Sequence, residues 1–148
     1  MTDEDLMAEA LAEARRGLES GEVPIGALVV VGGEIVARAH NAPITLADPT
    51  AHAEILALRE AARKRGNYRL AGATLYATVE PCPMCCGAIL HARVARVVYG
   101  ALDPKAGAVE SLYRLLDDAR LNHSVATHGG VLAAEAARLL KTFFEAKR

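Results

Sequence analysis

The stretch "ATLYATVEPCPMCCGAILHARVARVVYGA", residues 73–101, decides the architecture. It opens with a β-rich run, "ATLYATV" (73–79), and Pro81 then starts a helix through "CPMCCGAILHA" (82–92). "RVARVVYGA" (93–101) holds a second β-rich run. Strands that alternate with helices indicate an α/β domain with a sheet between helical layers.

The flanks continue the alternation. "DEDLMAEALAEARRGLESG" (3–21) places Leu6, Met7, Ala10, Leu11, Ala14 and Leu18 on one helical stripe that closes near Gly21. "IGALVVV" (25–31) and "EIVARAHN" (34–41) are strands joined by Gly32-Gly33, the pattern of a hairpin with a primed turn. "NAPITLADPT" (41–50) is a loop ending in Asp48-Pro49, which reads as an N-cap and first helical position for "TAHAEILALREAARKR" (50–65). Ile55, Leu58 and Ala62 take its inner face. Beyond residue 101, "GAVESLYRLLDDARLN" (107–122) reads as mainly helical or irregular, and "HSVATH" (123–128) as a short strand. "GVLAAEAARLLKTFFEAKR" (130–148) is a terminal helix with Leu132, Leu139 and Phe143 inward. No repeat, low-complexity tract or linker interrupts the chain, so one domain over residues 1–148 is expected.

Composition narrows the setting. A hydrophobic fraction of 52% with only 4% aromatics implies a packed core built on aliphatics. No apolar run approaches the ~18 residues of a membrane span, and the acidic opening "MTDEDLM" is unlike a signal peptide. A reducing, cytoplasmic setting is expected, where clustered cysteines serve metal or redox chemistry. The net charge of −1 offers no global signal for a polyanionic partner. Arg59, Arg63, Lys64, Arg65 and Arg69 form a local basic run, and Lys147 and Arg148 end the chain. Arg63, Lys64 and Arg65 are best read as complementing the dipole of a helix closed by Gly66.

All three cysteines, Cys82, Cys85 and Cys86, lie in the turn and helix after the first strand quoted. Cys-x-x-Cys puts two sulfurs on one side of a helical turn, close enough to share a tetrahedral metal. Cys86 lies one step deeper along the helix and suits the role of a small buried hydrophobe. "TAHAE" supplies His52 and Glu54 at another helix start. Two thiolates and one imidazole leave a fourth zinc position for water, whose pKa falls toward roughly 7 on binding. Glu54, nearby but unligated, has the position to take and return the water's proton. The competing readings are a redox dithiol and a closed structural site in which Cys86 is the fourth ligand.

These residues resemble the zinc-dependent nucleobase deaminases, with their H-x-E…P-C-x-x-C signature. The resemblance implies a three-layer α/β/α sandwich with a central five-stranded mixed sheet, cytidine deaminase-like. It narrows on "VPIGALVV" (23–30), "HNAPITLADPTAHAEILALREAA" (40–62), "NYRLAGATLYATVEPCPMCCGAIL" (67–90), "ARVVYGALDPKAGAVESL" (95–112), "LNHSV" (121–125) and "FFEAKR" (143–148). Over nearly its whole length the chain is similar to the bacterial tRNA-specific adenosine deaminases, hydrolases that turn wobble adenosine into inosine. The resemblance implies one Zn²⁺ per subunit on His52, Cys82 and Cys85, with Glu54 as the proton shuttle. It implies attack at C6 of a flipped-out adenine, a tRNA anticodon stem-loop as substrate, and a homodimer. It also implies contact with the nucleoside by Asn41, and RNA contacts by Asp103, Lys105, Asn122 and Phe144. The residues alone read more blandly: Asp103-Pro104 as a turn, Asn122 as a cap, Phe144 as core. Deamination of a free base or nucleoside by the same zinc site is the alternative activity. The chain departs from the family pattern at Cys86, where alanine is common, and in the tail "EAKR", which is often more basic.

Overall fold

The computed structural model describes residues 1–147, so Arg148 at the basic tail lies outside the described residues. The elements are α1 (Asp3–Glu19), β1 (Gly26–Val31), β2 (Glu34–His40), α2 (Pro43–Leu46), α3 (Ala53–Arg65), β3 (Thr74–Val79), α4 (Pro83–Ala92), β4 (Arg96–Ala101), β5 (Ala126–His128) and α5 (Ala133–Ala146). The five strands form one sheet in the order β2-β1-β3-β4-β5. β1 runs antiparallel to β2 and to β3, while β4 lies parallel to β3 and β5 parallel to β4. The sheet is therefore mixed and five-stranded, as expected.

Two helical layers cover it. α1 and α5 pack on one face, and α3 and α4 lie on the other. Strand residues alternate between the layers: Leu28, Val30, Tyr76 and Val98 face α1, while Ala27, Val29, Leu75 and Val97 face the larger core with Leu58, Cys86 and Ile89. Both faces are buried, which is why β1, β3 and β4 read as continuous apolar runs.

Local chemistry sets the ends. Thr2 and Asp5 form a capping box at α1, Thr2 Oγ1 accepting the Asp5 N–H and Asp5 accepting the Thr2 N–H. Gly32 and Gly33 both take positive φ, 58° and 81°, as a primed hairpin turn requires. The register shifts between Val29 and Val30, which pair with Ala37 and Ile35, so Val36 is the extra residue of a bulge. Gly66 closes α3 in the left-handed conformation behind Arg63, Lys64 and Arg65, the arrangement read from sequence.

Three boundaries differ from the sequence reading. α3 begins at Ala53 with His52 as N-cap, because Asp48 instead accepts the N–H and hydroxyl of Thr50 in a turn. The expected loop 41–50 contains the short α2. α4 begins at Pro83 with Cys82 as N-cap, two residues after Pro81. Residues 107–122 contain turns and no helix, the irregular one of the two alternatives read from sequence. On α5, Phe143 is buried, whereas Leu132 and Leu139 are half-buried. No helix among the described residues is long and apolar enough to cross a membrane.

Candidate metal centre and active site

The site lies at the C-terminal ends of the parallel strands, where α/β sheets gather ligands. Cys82 follows β3 by three residues, Asp103 follows β4 by two, and the N-termini of α3 and α4 meet there. His52 and Cys82 are both N-cap residues with extended backbone, and neither uses its side chain for capping. Their side chains remain available to each other. His52 Nδ1 lies 3.5 Å from Cys82 Sγ and 3.5 Å from Cys85 Sγ.

These three donor atoms lie within 4.8 Å of one another. A tetrahedral zinc with its usual Zn–S and Zn–N bond lengths would hold S and N about 3.5 Å apart. The donor set fits zinc in both chemistry and spacing, and it supplies three ligands, leaving one position open. Cys86 does not join it. Its sulfur is buried and points to the Pro81 carbonyl at 3.8 Å, and burial pushes its thiol up to about 12.

The electrostatics divide the two ligand thiols. The hydrogen bond from Cys85, helped by His52, holds Cys82 down to about 4. Giving that hydrogen bond, together with burial, pushes Cys85 up. One thiolate is thus ready, and a cation held by this set would supply the charge that ionises the second. The hydrogen bond with Cys82 raises His52 against the opposing effect of burial.

Glu54 is 4% exposed, in the first turn of α3 and beside the Cys85 thiol. Burial pushes its carboxyl up to about 7. Such a group both accepts and donates a proton near neutrality. Asn41, also buried, accepts the Ala53 N–H through Oδ1 at 2.9 Å. That bond fixes which amide atom is oxygen and leaves the NH₂ group without a protein partner among the described residues.

The structure therefore brings His52, Cys82, Cys85, Glu54 and Asn41 together. Asp103 and Lys105 sit on the loop after β4; Lys105 is exposed, while Asp103 Oδ1 accepts the N–H groups of Lys105 and Ala106. This is the turn role that the residues alone suggested. Asn122 is exposed and accepts from Arg93 at the far end of α4, roughly 17 Å along the helix from Cys82. Phe144 is 51% exposed on α5, edge-to-face with Phe143, in the layer across the sheet from α3 and α4. The sequence reading missed Glu80 and Glu22. Glu80 is 3% exposed and accepts backbone bonds from the loop after β4. Glu22 is 1% exposed and holds Ile44 and Thr45 of α2 beside Asn41. The available signal was an acid directly between an apolar strand and Pro81, a place solvation alone does not explain.

The sequence profile of the cytidine and deoxycytidylate deaminase zinc-binding region matches residues 1–101, and the chain belongs to this family. Within it, the chain is 50% identical over 149 residues to the tRNA-specific adenosine deaminase of Bacillus subtilis, covering 100% of this chain and 92% of that protein. It is 47% identical to the enzyme of the same name from Haemophilus influenzae, covering 99% and 85%. A solved structure from work on A-to-I editing by tRNA:A34 deaminases at the wobble position superposes with a TM-score of 0.88 at 47% identity, covering 90% of this chain and 97% of that one. A guanine deaminase from Bacillus subtilis superposes at 0.66 and 42% identity, covering 69% and 66%.

Proposed function

We propose that residues 1–148 form a single zinc-dependent domain that deaminates adenosine to inosine at the wobble position of tRNA anticodon loops, in the cytoplasm and as a homodimer. The observation that carries this reading is the open three-donor set of His52, Cys82 and Cys85 with the buried, unligated Glu54 two residues from His52. The full-length similarity to tRNA-specific adenosine deaminases supports the choice of substrate.

His52 Nδ1, Cys82 Sγ and Cys85 Sγ would hold the zinc. When bound, zinc lowers the pKa of a coordinated water from ~15.7 to roughly 7 and so supplies a nucleophile near neutrality. Glu54 would take one proton of the water to the adenine N1 and carry the second, from the C6 hydroxyl, to the amine, so that C6 becomes a carbonyl and the C6–N bond breaks to release ammonia. Its pKa of about 7 suits both transfers. Asn41 offers its free NH₂ to the nucleoside. Asp103, Lys105, Asn122 and Phe144 are assigned to the RNA surface. An anticodon loop presents its bases unpaired, so extrusion costs little. The second copy would cover the mainly apolar groove of about 290 Å³ between α3 and α4, lined by Ile55, Leu58, Ala62 and Ala88 and edged by Arg59 and His91.

The deciding experiment offers the zinc protein three substrates: a hairpin with adenosine at the wobble position, free guanine and cytidine. Inosine in the hairpin alone is expected. Turnover of guanine or cytidine without the hairpin overturns the tRNA reading. Light scattering at micromolar concentration should return the mass of two chains, and a single-chain mass overturns the dimer.

A further inference from the structure

We infer that Glu80 is a positioning residue that builds the loop between Leu102 and Leu112 around its carboxylate, fixing Asp103 and Lys105 relative to the metal centre. Its role in substrate grip rests on the reading above that this loop contacts RNA. Glu80 Oε1 accepts the Asp103 N–H at 3.0 Å and the Ser111 hydroxyl. Oε2 accepts the N–H groups of Val109, Glu110 and Ser111 at 3.1, 2.8 and 2.9 Å. A carboxylate is acceptor-only with about four lone-pair sites, so these five donors saturate it and the three on Oε2 share its two lone pairs.

The amides of Val109, Glu110 and Ser111 turn inward to a single buried carboxylate. Gly107 permits this approach: an ideal Cβ there would lie 2.2 Å from Glu80 Oε1. Two further bonds tie the loop to the turn that carries Cys82. Ala108 N–H donates to the Pro81 carbonyl at 2.9 Å, and Glu80 N–H donates to the Ala101 carbonyl at 2.8 Å. Glu80 stands two residues before Cys82, so one side chain links the position of the loop to the position of a metal ligand.

Glu80→Gln keeps the shape and replaces one acceptor oxygen by a donor. The amide oxygen serves the three N–H groups best, which leaves NH₂ facing the Asp103 N–H. Ser111 can reverse its hydroxyl and accept. The Asp103 end of the loop is then freed specifically. Gly107→Ala perturbs the same contact from the other side and provides the test if Glu80→Gln does not fold.

The experiment measures hairpin kinetics, zinc content and amide exchange for wild type and both variants. With zinc still stoichiometric, KM for the hairpin should rise about tenfold or more while kcat stays within about threefold, the mark of lost binding rather than lost chemistry. The amides of Asp103, Val109, Glu110 and Ser111 should exchange about 100-fold faster. Unchanged KM and exchange overturn the proposal, as does loss of zinc or of kcat in step with KM. If wild type does not act on the hairpin, the tRNA reading falls, and the exchange measurement alone decides whether Glu80 holds the loop.

Discussion

Asn41 Oδ1 accepts the Ala53 N–H at 2.9 Å, and Ala53 stands between His52 and Glu54. His52 occupies the N-cap position of α3 but turns its ring to the sulfurs, so the helix's first amide needs an acceptor from elsewhere. Asn41, twelve residues earlier, supplies it and leaves its NH₂ free.

Asn41→Ala should therefore lower stability by about 1–2 kcal/mol, as loss of a helix cap does. Asn41→Asp keeps the acceptor and should recover most of the melting temperature without recovering activity, because the NH₂ donor is gone. Melting curves and hairpin kinetics on the two variants check this. Equal activity in Asn41→Asp and wild type would rule out a nucleoside contact through the amide nitrogen.

The cysteines should separate sharply. Cys82→Ala and Cys85→Ala each remove one of three donors and should lose zinc and activity together. Cys86→Ala removes a buried sulfur that faces the Pro81 carbonyl and should keep stoichiometric zinc, at a stability cost of about 1 kcal/mol. Metal analysis of the three purified variants decides it. If Cys86→Ala also strips the metal, the shell has a third sulfur as its fourth ligand.

Much of this was legible because it rests on local pattern. The hairpin follows from Gly32-Gly33 between β-rich runs, and the layers follow from strands apolar on both faces. The donor set follows from "HAE" and "PCPMC" at two helix starts. What was not legible depends on distant partners. Asp48-Pro49 has the form of a helix start, yet Asp48 caps Thr50 so that His52 can stand at the N-cap and reach the cysteines. Residues 107–122 left helix and irregular structure open, and the Glu80 carboxylate that gathers the amides of Val109, Glu110 and Ser111 lies 29 to 31 residues away. The pairing of Asn122 with Arg93 likewise spans 29 residues, and no periodicity announces it.

Glu54→Gln should retain zinc, since the carboxylate is not among the three donors, and should lower kcat by about 10²–10⁴-fold. The side chain keeps its size and its place in the first turn of α3, so the melting temperature of the zinc protein should stay near wild type. Metal content and single-turnover inosine formation on the same sample separate the roles. Turnover equal to wild type would remove Glu54 as the shuttle.

The last prediction concerns acid stability on the opposite side of the sheet from α3 and α4. Arg96 donates to both oxygens of Asp3, at 3.1 and 2.7 Å, and the Tyr76 hydroxyl donates at 2.6 Å, tying the start of α1 to β3 and β4. The Arg96 bonds, followed by that of Tyr76, hold the Asp3 carboxyl down to about 2, against an ordinary 3.8. Because the folded value is depressed, the unfolded chain takes the proton first as pH falls. The stabilisation is full well above pH 3.8 and disappears as pH drops through about 2. With side chains 29% and 38% exposed, solvent screening leaves the pair worth about 1 kcal/mol. Asp3→Asn should therefore melt a few degrees below wild type at pH 7. The gap should begin to close near pH 4 and be gone near pH 2. Comparing the two proteins at each pH cancels the protonation of the zinc ligands, which both share. A gap that stays constant from pH 7 down to pH 2 would show that Asp3 stabilises α1 through something other than its charge.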